Sequence, residues 1–185
     1  SPGWNINRIE YVTLPTLGNM ADFGDLTQGR ANQASGANST RGIFAGGYNG
    51  GAVNNTDYIT VASTGNAIDF GDADVTSWAA LAANGDVRFF SAGGQPSATG
   101  IGYFTYATLG NQKDWGDLPV KGAQGAGSAS LTRGIFQMGE AAAPVGGQSN
   151  RLESISMQAS GNSTDFGDLT VGRQDTYGVA AQGHG

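Results

Sequence analysis

Pairs of aspartates recur along the chain, and carboxylates at a fixed spacing are the first residues here that could do chemistry. In each pair an aromatic residue and a glycine separate the two acids: Asp22 and Asp25, Asp69 and Asp72, Asp114 and Asp117, Asp165 and Asp168. Carboxylate oxygens are ligands that Ca²⁺ prefers, although the spacing lacks the acidic density of an EF-hand loop. Aspartate also caps its own backbone in tight turns. We therefore interpret the pairs as turn chemistry and predict neither a metal site nor a cofactor.

Exposed aromatic residues are the candidates for binding a ligand. Sugars stack on such rings, and we predict Trp78, Tyr48 and Trp4 as ligand-binding residues, with Tyr106 as a weaker candidate. The alternative for any of these rings is burial between packed sheets. That alternative fits Trp115, which stands in register with two phenylalanines of the repeat described below.

Three arginines, Arg41, Arg88 and Arg133, each come just before or within an apolar segment. They could line one face and bind an anion. A planar guanidinium with five donors is equally suited to structural contacts. We favour pairing with turn aspartates or backbone carbonyls, which would join one strand or sheet to another.

A catalytic constellation is not evident. His184 is the one histidine and there is no cysteine, which disfavours a Ser-His-Asp triad and thiolate chemistry. Glu10 and Glu153 occupy matching repeat positions, which indicates the surface of a strand. A glycosidase needs two carboxylates at a set separation, which the sequence alone does not test. We predict that the chain is not an enzyme.

The elements that must position these residues form an internal repeat. One anchor is an aromatic-Gly-Asp segment and the other is a Gly-Asn pair, and both recur at steps of 47, 45 and 51 residues. The first anchor is found at Phe23-Gly24-Asp25, Phe70-Gly71-Asp72, Trp115-Gly116-Asp117 and Phe166-Gly167-Asp168, and the second at Gly18-Asn19, Gly65-Asn66, Gly110-Asn111 and Gly161-Asn162. Two anchors with identical steps indicate a repeat fold.

Each unit predicts four short strands. A small-residue strand comes first, an apolar strand ending in glycines second, an alternating strand third, and the acidic-aromatic segment fourth. In the second unit these are 31–37, 42–48, 58–62 and the segment around Phe70. The Gly-Asn pair between the third and fourth strands is typical of a tight hairpin turn with positive φ. With 32 glycines and no helical period, the sequence predicts an all-β fold.

The glycine pair, the later tyrosine and the large aromatic residue resemble the kelch repeat. Gly46-Gly47, Tyr58 and Phe70 carry this match, and so do Gly93-Gly94, Tyr103 and Trp115; the third unit departs from it with Gly139-Glu140, and the fourth has Ser154 in place of the tyrosine. The fuller wording of the repeat resembles kelch-like repeats in virion and tail-associated proteins of marine bacteriophages. This resemblance implies a β-propeller in a virion, with a structural or host-attachment role. Its partners would be other copies of itself, other virion proteins or a host-surface glycan. A generic protein- or glycan-binding propeller and a polysaccharide-degrading propeller enzyme are the alternatives.

We therefore predict a single repeat domain over residues 1–185, a kelch-like propeller of four units of about 47 residues with one blade split between the termini. The split blade would combine 178–181 with 9–14 and 22–26. It would lack its apolar strand. Residues 1–5 could fill the gap, since Gly3-Trp4 resembles Gly47-Tyr48, but we favour pairing of the uncovered edge with further copies. The four anchor aromatic residues, Phe23, Phe70, Trp115 and Phe166, are expected to be equivalent and buried between blades.

Charge and hydropathy exclude some partners. The formal net charge is −6 and 13% of residues are charged, so we expect no binding to nucleic acid, which requires clustered Lys and Arg. No apolar run approaches the ~20 residues of a membrane helix. No signal-peptide pattern is evident. We expect no insertion into a membrane.

Overall fold

The computed structural model describes residues 6–96, 98–141, 147–176 and 178. These residues form sixteen β-strands and no helix, so the predicted all-β class is confirmed. The strands of the first half are β1 (Arg8–Tyr11), β2 (Ala21–Asp25), β3 (Ala34–Ala37), β4 (Arg41–Tyr48), β5 (Ala52–Thr60), β6 (Ile68–Asp72), β7 (Leu81–Asn84) and β8 (Arg88–Ala92). Those of the second half are β9 (Gly100–Thr105), β10 (Lys113–Asp117), β11 (Gly122–Ala123), β12 (Ala126–Ala129), β13 (Arg133–Gln137), β14 (Glu140–Ala141), β15 (Ser149–Ser156) and β16 (Thr164–Arg173).

Three antiparallel four-stranded sheets make up most of the molecule. The first sheet contains β3 to β6, the second contains β7 to β10, and the third contains β12, β13, β15 and β16. In each, the strands pair in chain order. The N-terminal pair β1–β2 stands in the place of the third and fourth strands of such a sheet, and β11 pairs with β14 in a short ribbon. The repeat therefore corresponds to one sheet per unit.

The aromatic-Gly-Asp anchor forms the outer strand of each sheet and contains an irregularity in pairing. In the first sheet the register between β5 and β6 shifts between Thr56, which pairs with Gly71, and Asp57, which pairs with Asp69, so Phe70 is the extra residue. Gly71 has φ +139°, and Gly24, Gly116 and Gly167 have similar values. Such a backbone favours glycine over residues with a Cβ. The bulge adds local twist and exposes the backbone on either side of the glycine.

Two hydrophobic clusters lie between successive sheets. The cluster between the first and second sheets includes Phe70 and Phe104, whose ring centroids are 5.7 Å apart and nearly perpendicular. The cluster between the second and third sheets includes Phe90 and Trp115 of the second sheet, 5.1 Å apart in a similar geometry, together with Phe136 of the third. Edge-to-face pairs of this kind add stability beyond the area they bury. The anchor aromatic residue of each of these two sheets thus lies at the interface with the following sheet.

A repeated backbone contact, which we call the Gly-Asn joint, connects each outer strand to the following sheet. In the first joint the Gly65 N–H donates to the Phe23 carbonyl at 2.7 Å and the Ala67 N–H donates to the Asp25 carbonyl at 2.8 Å. The Asp25 N–H donates in return to the Asn66 side-chain oxygen at 3.1 Å. A joint therefore has a strand half, the aromatic-Gly-Asp segment, and a hairpin half, the Gly-Asn segment.

The same three hydrogen bonds recur in two further joints. In the second joint, Phe70 and Asp72 are contacted by residues 110–112. In the third joint, Trp115 and Asp117 are contacted by residues 161–163. The close approach explains the anchor glycines, because a Cβ at Gly24, Gly71 or Gly116 would lie 2.3–2.6 Å from a carbonyl of the facing segment.

The predicted role of the Gly-Asn pair as a tight hairpin turn is wrong. The reverse turn lies earlier, where the Ser63 N–H donates to the Thr60 carbonyl, and Gly65-Asn66 lies in the rest of the connection to β6. Its φ is indeed positive, at +155° for Gly65. That conformation serves the contact with the neighbouring sheet, which local sequence does not indicate.

The anchor aromatic residues are not all equivalent. Phe23, Phe70 and Trp115 are 9%, 3% and 6% exposed, as predicted, whereas Phe166 is 48% exposed. The prediction for Phe166 is wrong because no following segment covers it within the described residues. Glu153, predicted at a strand surface, is fully buried. Of the predicted strand 178–181, Gly178 is described outside any strand, and 179–181 lie outside the described residues.

Candidate functional site

One position in each sheet forms a two-way backbone bridge just after the apolar strand. In the first sheet the Tyr48 N–H donates to the Ala31 carbonyl at 2.8 Å, and the Ala31 N–H donates to the Tyr48 carbonyl at 3.0 Å. Trp78 and Gln95 exchange the same pair of bonds. Ala123 and Glu140 are partners in the third instance. The backbone is therefore constant at these positions while the side chains differ.

We name Tyr48, Trp78, Gln95 and Glu140 the rim residues. The rings of Tyr48 and Trp78 pack edge to face with centroids 5.9 Å apart. The Gln95 side-chain amide donates to the Glu140 carboxylate at 2.8 Å. Tyr48 is exposed and the other three are half-buried. An accessible ring beside an amide and a carboxylate combines an apolar stacking surface with hydrogen-bond donors and acceptors, which suits a sugar.

The structure brings together two of the three predicted ligand-binding residues. Tyr48 and Trp78 form one aromatic pair, and Trp4 lies outside the described residues. Tyr106, the weaker candidate, is 2% exposed and donates its hydroxyl to the Asn84 side chain. Burial raises the pKa of Tyr106 well above its ordinary value. It belongs to the core and is unavailable for stacking on a ligand.

A cavity of about 650 Å³ lies where the small-residue strands of the three sheets converge. Four residues around it are non-glycines with left-handed φ of 53–55°: Asn32, Ala79, Gln124 and Asp175. Three hydrogen bonds link these four residues in order. The Ala79 N–H donates to the Asn32 carbonyl at 2.8 Å, the Gln124 N–H to the Ala79 carbonyl at 2.9 Å, and the Asp175 N–H to the Gln124 carbonyl at 2.7 Å. The steps between them are 47, 45 and 51 residues, as in the repeat. This chain of bonds aligns the inner ends of the sheets.

The aspartates of the acidic turns act on their own backbone in two units. Asp69 accepts a hydrogen bond from the Gly71 N–H at 3.1 Å, and Asp165 accepts one from the Gly167 N–H at 3.0 Å. This is the turn chemistry expected of aspartate. Across the part of the chain that the structure describes, no group of three or more acidic, histidine or cysteine side chains is arranged to hold a metal ion.

Two of the three repeated arginines join one sheet to the next. Arg41 donates to the Tyr106 carbonyl, and Arg88 donates to the Met157 carbonyl at 3.3 Å. Arg41 also lies over the Tyr58 ring, 4.8 Å from its centroid. Arg133 lies over the exposed ring of Phe166 at 5.7 Å. The structural interpretation is confirmed for Arg41 and Arg88, which contact backbone carbonyls of the following sheet.

A buried ion pair escaped the sequence analysis. Arg30 Nη1 lies 2.9 Å from Asp57 Oδ2, and both side chains are at most 1% exposed. Thr27 donates its hydroxyl to the other oxygen of the same carboxylate at 2.6 Å, and Arg30 also donates to the Phe44 carbonyl at 3.0 Å. The cluster fixes the segment after β2 against the first sheet. The sequence gives one indication of this cluster: Thr27-Gln28-Gly29-Arg30 recurs at 170–173, with Val171 in place of the glutamine.

Comparison with known proteins adds no relationship, since no family model and no curated protein matches this chain. Among the described residues no helix is long and apolar enough to cross a membrane. The functional argument therefore depends on the rim residues, the joints and the charges described above.

Proposed function

We propose that this chain is a kelch-like β-propeller module that binds a glycan at the rim residues and performs no catalysis. The fold is supported by three meander sheets whose small-residue strands β3, β7 and β12 share one cavity. The left-handed chain of bonds from Asn32 to Asp175 follows the same repeat and gives each unit an equivalent inner position.

The observation that carries the binding proposal is the Tyr48–Trp78 pair. Tyr48, at the end of β4, and Trp78, just before β7, bring two rings together at the surface. The position of Tyr48 holds Gln95 and Glu140 in the other units, and that of Trp78 holds Ala31 and Ala123. Packing alone does not require an exposed tyrosine at the end of β4. Gln95 and Glu140 supply polar groups next to the rings. A glycan offers the matching surface, since its C–H faces stack on rings and its hydroxyls bond to amides and carboxylates.

The biological setting that we propose is a bacteriophage virion, with a structural or host-attachment role. The amino-acid pattern of the repeat supports this setting, because it resembles the repeats of virion and tail-associated proteins. A rim that presents different side chains on one constant backbone suits attachment, because its specificity can change without disturbing the fold.

The test is glycan binding by the chain and by two variants. Surface polysaccharides of marine bacteria serve as probes, with binding measured by calorimetry and by tryptophan fluorescence. We expect Trp78→Ala to weaken binding by at least about tenfold, since a stacked ring contributes roughly 1 to 3 kcal/mol. Tyr11→Ala is the control for loss of a ring outside the rim, because Tyr11, like Tyr48 at the rim, is 41% exposed and packs against a second ring, that of Phe23, at 5.9 Å.

Two outcomes would contradict the proposal. If Trp78→Ala and Tyr11→Ala weakened binding equally, the rim residues would not be the site. If the polysaccharide were shortened on incubation, and a Glu140→Gln variant abolished that cleavage, the module would be an enzyme. We expect the recovered glycan to be intact.

A further inference from the structure

One strand half and one hairpin half of the Gly-Asn joint are left open in the described part of the chain. Phe166-Gly167-Asp168 repeats the strand half, yet no heavy atom lies within 4 Å of a Cβ built at Gly167. Gly18-Asn19-Met20 repeats the hairpin half, and all three residues are exposed. The Asn19 amide makes no hydrogen bond there. The chain therefore carries two complementary surfaces that do not meet each other.

The first joint provides a template for the open one because it carries the buried ion pair. Arg30, seven residues after the anchor Phe23, reaches Asp57, which precedes the next anchor, Phe70, by thirteen residues. In the second and third joints the arginine position holds Ser77 and Gly122. The charged pair is therefore a particular property of the first joint, not a general one of the repeat.

The open halves reproduce both partners of that ion pair. Arg173 follows the anchor Phe166 by seven residues, and Glu10 precedes the anchor Phe23 by thirteen. The segment Thr170-Val171-Gly172-Arg173 also repeats the threonine that bonds to the carboxylate in the template. Arg173 is exposed, and Glu10 makes a loose 4.0 Å contact with the exposed Arg8. Two opposite charges thus stand at the matching places of the open surfaces.

Exposed apolar side chains surround both open halves. Leu14, Leu17 and Met20 are exposed on or beside the hairpin half, and Phe166 and Val171 are exposed on or beside the strand half. At the Met20 position the first formed joint has Ala67, which is buried. Apolar groups gathered at a surface commonly mark a contact between proteins. Formation of the fourth joint would cover several of these side chains.

We propose that copies of this chain associate head to tail through an intermolecular Gly-Asn joint. The Gly18 and Met20 N–H groups of one copy donate to the Phe166 and Asp168 carbonyls of the next. The Asp168 N–H donates to the Asn19 side-chain oxygen, and Arg173 pairs with Glu10 across the contact. These bonds are the fourth instance of the set that the chain makes three times internally.

The partner in this contact is a second copy, because the hairpin half and the strand half of one chain do not contact each other in the structure. The N-terminal pair is held to the first sheet by Gly65 and Asn66, and the open strand half lies on the third sheet. The contact joins two different surfaces, so it propagates into a ring or a filament instead of closing as a symmetric dimer. The inference uses none of the rim residues and does not rest on glycan binding.

The experiment measures the mass of the 185-residue chain in solution over a wide range of concentration, by light scattering and sedimentation. We expect the mass to rise with concentration. Glu10→Gln, which alters the hairpin half, and Arg173→Gln, which alters the strand half, should each weaken association by at least about tenfold, since truncating one partner of a buried charge pair is costly. Asp114→Asn and Lys121→Gln are the controls for loss of one exposed charge and should associate like the unchanged chain.

Mixing the two variants tests the direction of the contact. Glu10→Gln retains an intact strand half and Arg173→Gln retains an intact hairpin half. At a concentration where each variant alone is a monomer, an equimolar mixture should form dimers through these two intact halves. The dimers should not grow further, because both remaining halves are altered. Circular dichroism of each variant should match that of the unchanged chain, which separates lost association from lost folding.

Three results would overturn the inference. The first is an unchanged chain that remains a monomer at all concentrations, as it would if the two halves closed within one chain. The second is association that Glu10→Gln and Arg173→Gln leave unaltered. The third is a mixture of the two variants that stays monomeric, which would exclude a head-to-tail contact.

Discussion

Replacement of Gly71 by alanine tests whether the Gly-Asn joints hold the sheets together. A Cβ at Gly71 would lie 2.6 Å from the carbonyl carbon and oxygen of Gly110, whereas ordinary contact begins at 3.4 Å. The facing segment must then move by about 0.8 Å, the difference between these distances. A displacement of that size weakens the three hydrogen bonds of the joint, from Gly110, Gln112 and Asp72.

The magnitude follows from a comparison with Gly147→Ala. Gly71 has φ +139° and Gly147 has φ +140°, so an alanine suffers the same backbone strain of about 1 to 3 kcal/mol at either position. A Cβ at Gly147 has no heavy atom within 4 Å. The strain cancels in the difference, which leaves the joint itself. At roughly 0.5 to 1.5 kcal/mol for each bond, Gly71→Ala should exceed Gly147→Ala by about 2 to 4 kcal/mol.

Urea unfolding followed by circular dichroism gives the two free energies of unfolding. The measurements belong at the lowest usable protein concentration, so that any association does not contribute. If the two alanine variants lost the same stability, the joints would be passive contacts and the account of the anchor glycines would be refuted.

Two further predictions concern buried polar groups. Arg30→Ala should lower the free energy of unfolding by about 3 to 5 kcal/mol because it leaves the buried Asp57 carboxylate unpaired. Exposed Arg8→Ala should cost under about 1 kcal/mol, and equal losses in thermal unfolding would contradict this. Tyr106 has a raised pKa in the folded state, so its stabilising contribution is complete below its ordinary pKa of about 10 and is lost as the pH rises further. Tyr106→Phe should therefore flatten the fall in stability between about pH 9 and 12, and an unchanged slope would exclude Tyr106 as its source.

The repeat could be predicted because its signals are local. Alternation in β5 and β9, glycine pairs at the ends of β4 and β8, and aromatic-Gly-Asp segments each leave a pattern in a few residues. Burial of Phe23, Phe70 and Trp115 followed from their common register. At the rim, Trp78 and Tyr48 were selected as aromatic residues that could be exposed, and the structure shows that their rings are in contact.

Contacts between sheets could not be predicted, because their partners lie far apart in sequence. Gly65 bonds to Phe23 across 42 residues, and nothing near Gly65 indicates that its amide faces another sheet. Glu153 was misassigned for a different reason, because its match to Glu10 in the repeat indicated the surface of a strand. Arg151 lies 2.8 Å from its carboxylate and the Ser163 hydroxyl donates to it at 3.1 Å, which permits complete burial. Phe166 was misassigned for the converse reason, since its local sequence is the same as that of a covered anchor.

In this fold the backbone makes the contacts that join the sheets, and the side chains differ from unit to unit. Each joint uses main-chain N–H and carbonyl groups together with one asparagine, so the aromatic anchor can change from Phe70 to Trp115 without loss of a hydrogen bond. The bridges at the rim are also made by the backbone, which leaves the side chains of Gln95 and Glu140 free to differ. The rim side chains can therefore vary while the sheets stay joined. The Arg30–Asp57 pair is the exception, because side-chain chemistry distinguishes one joint from the others. Among the internal joints, only the first contains such a charge pair. Because Arg173 and Glu10 occupy the same positions in the open halves, the proposed contact between copies would be distinguished from the other joints by its side chains as well as its backbone bonds.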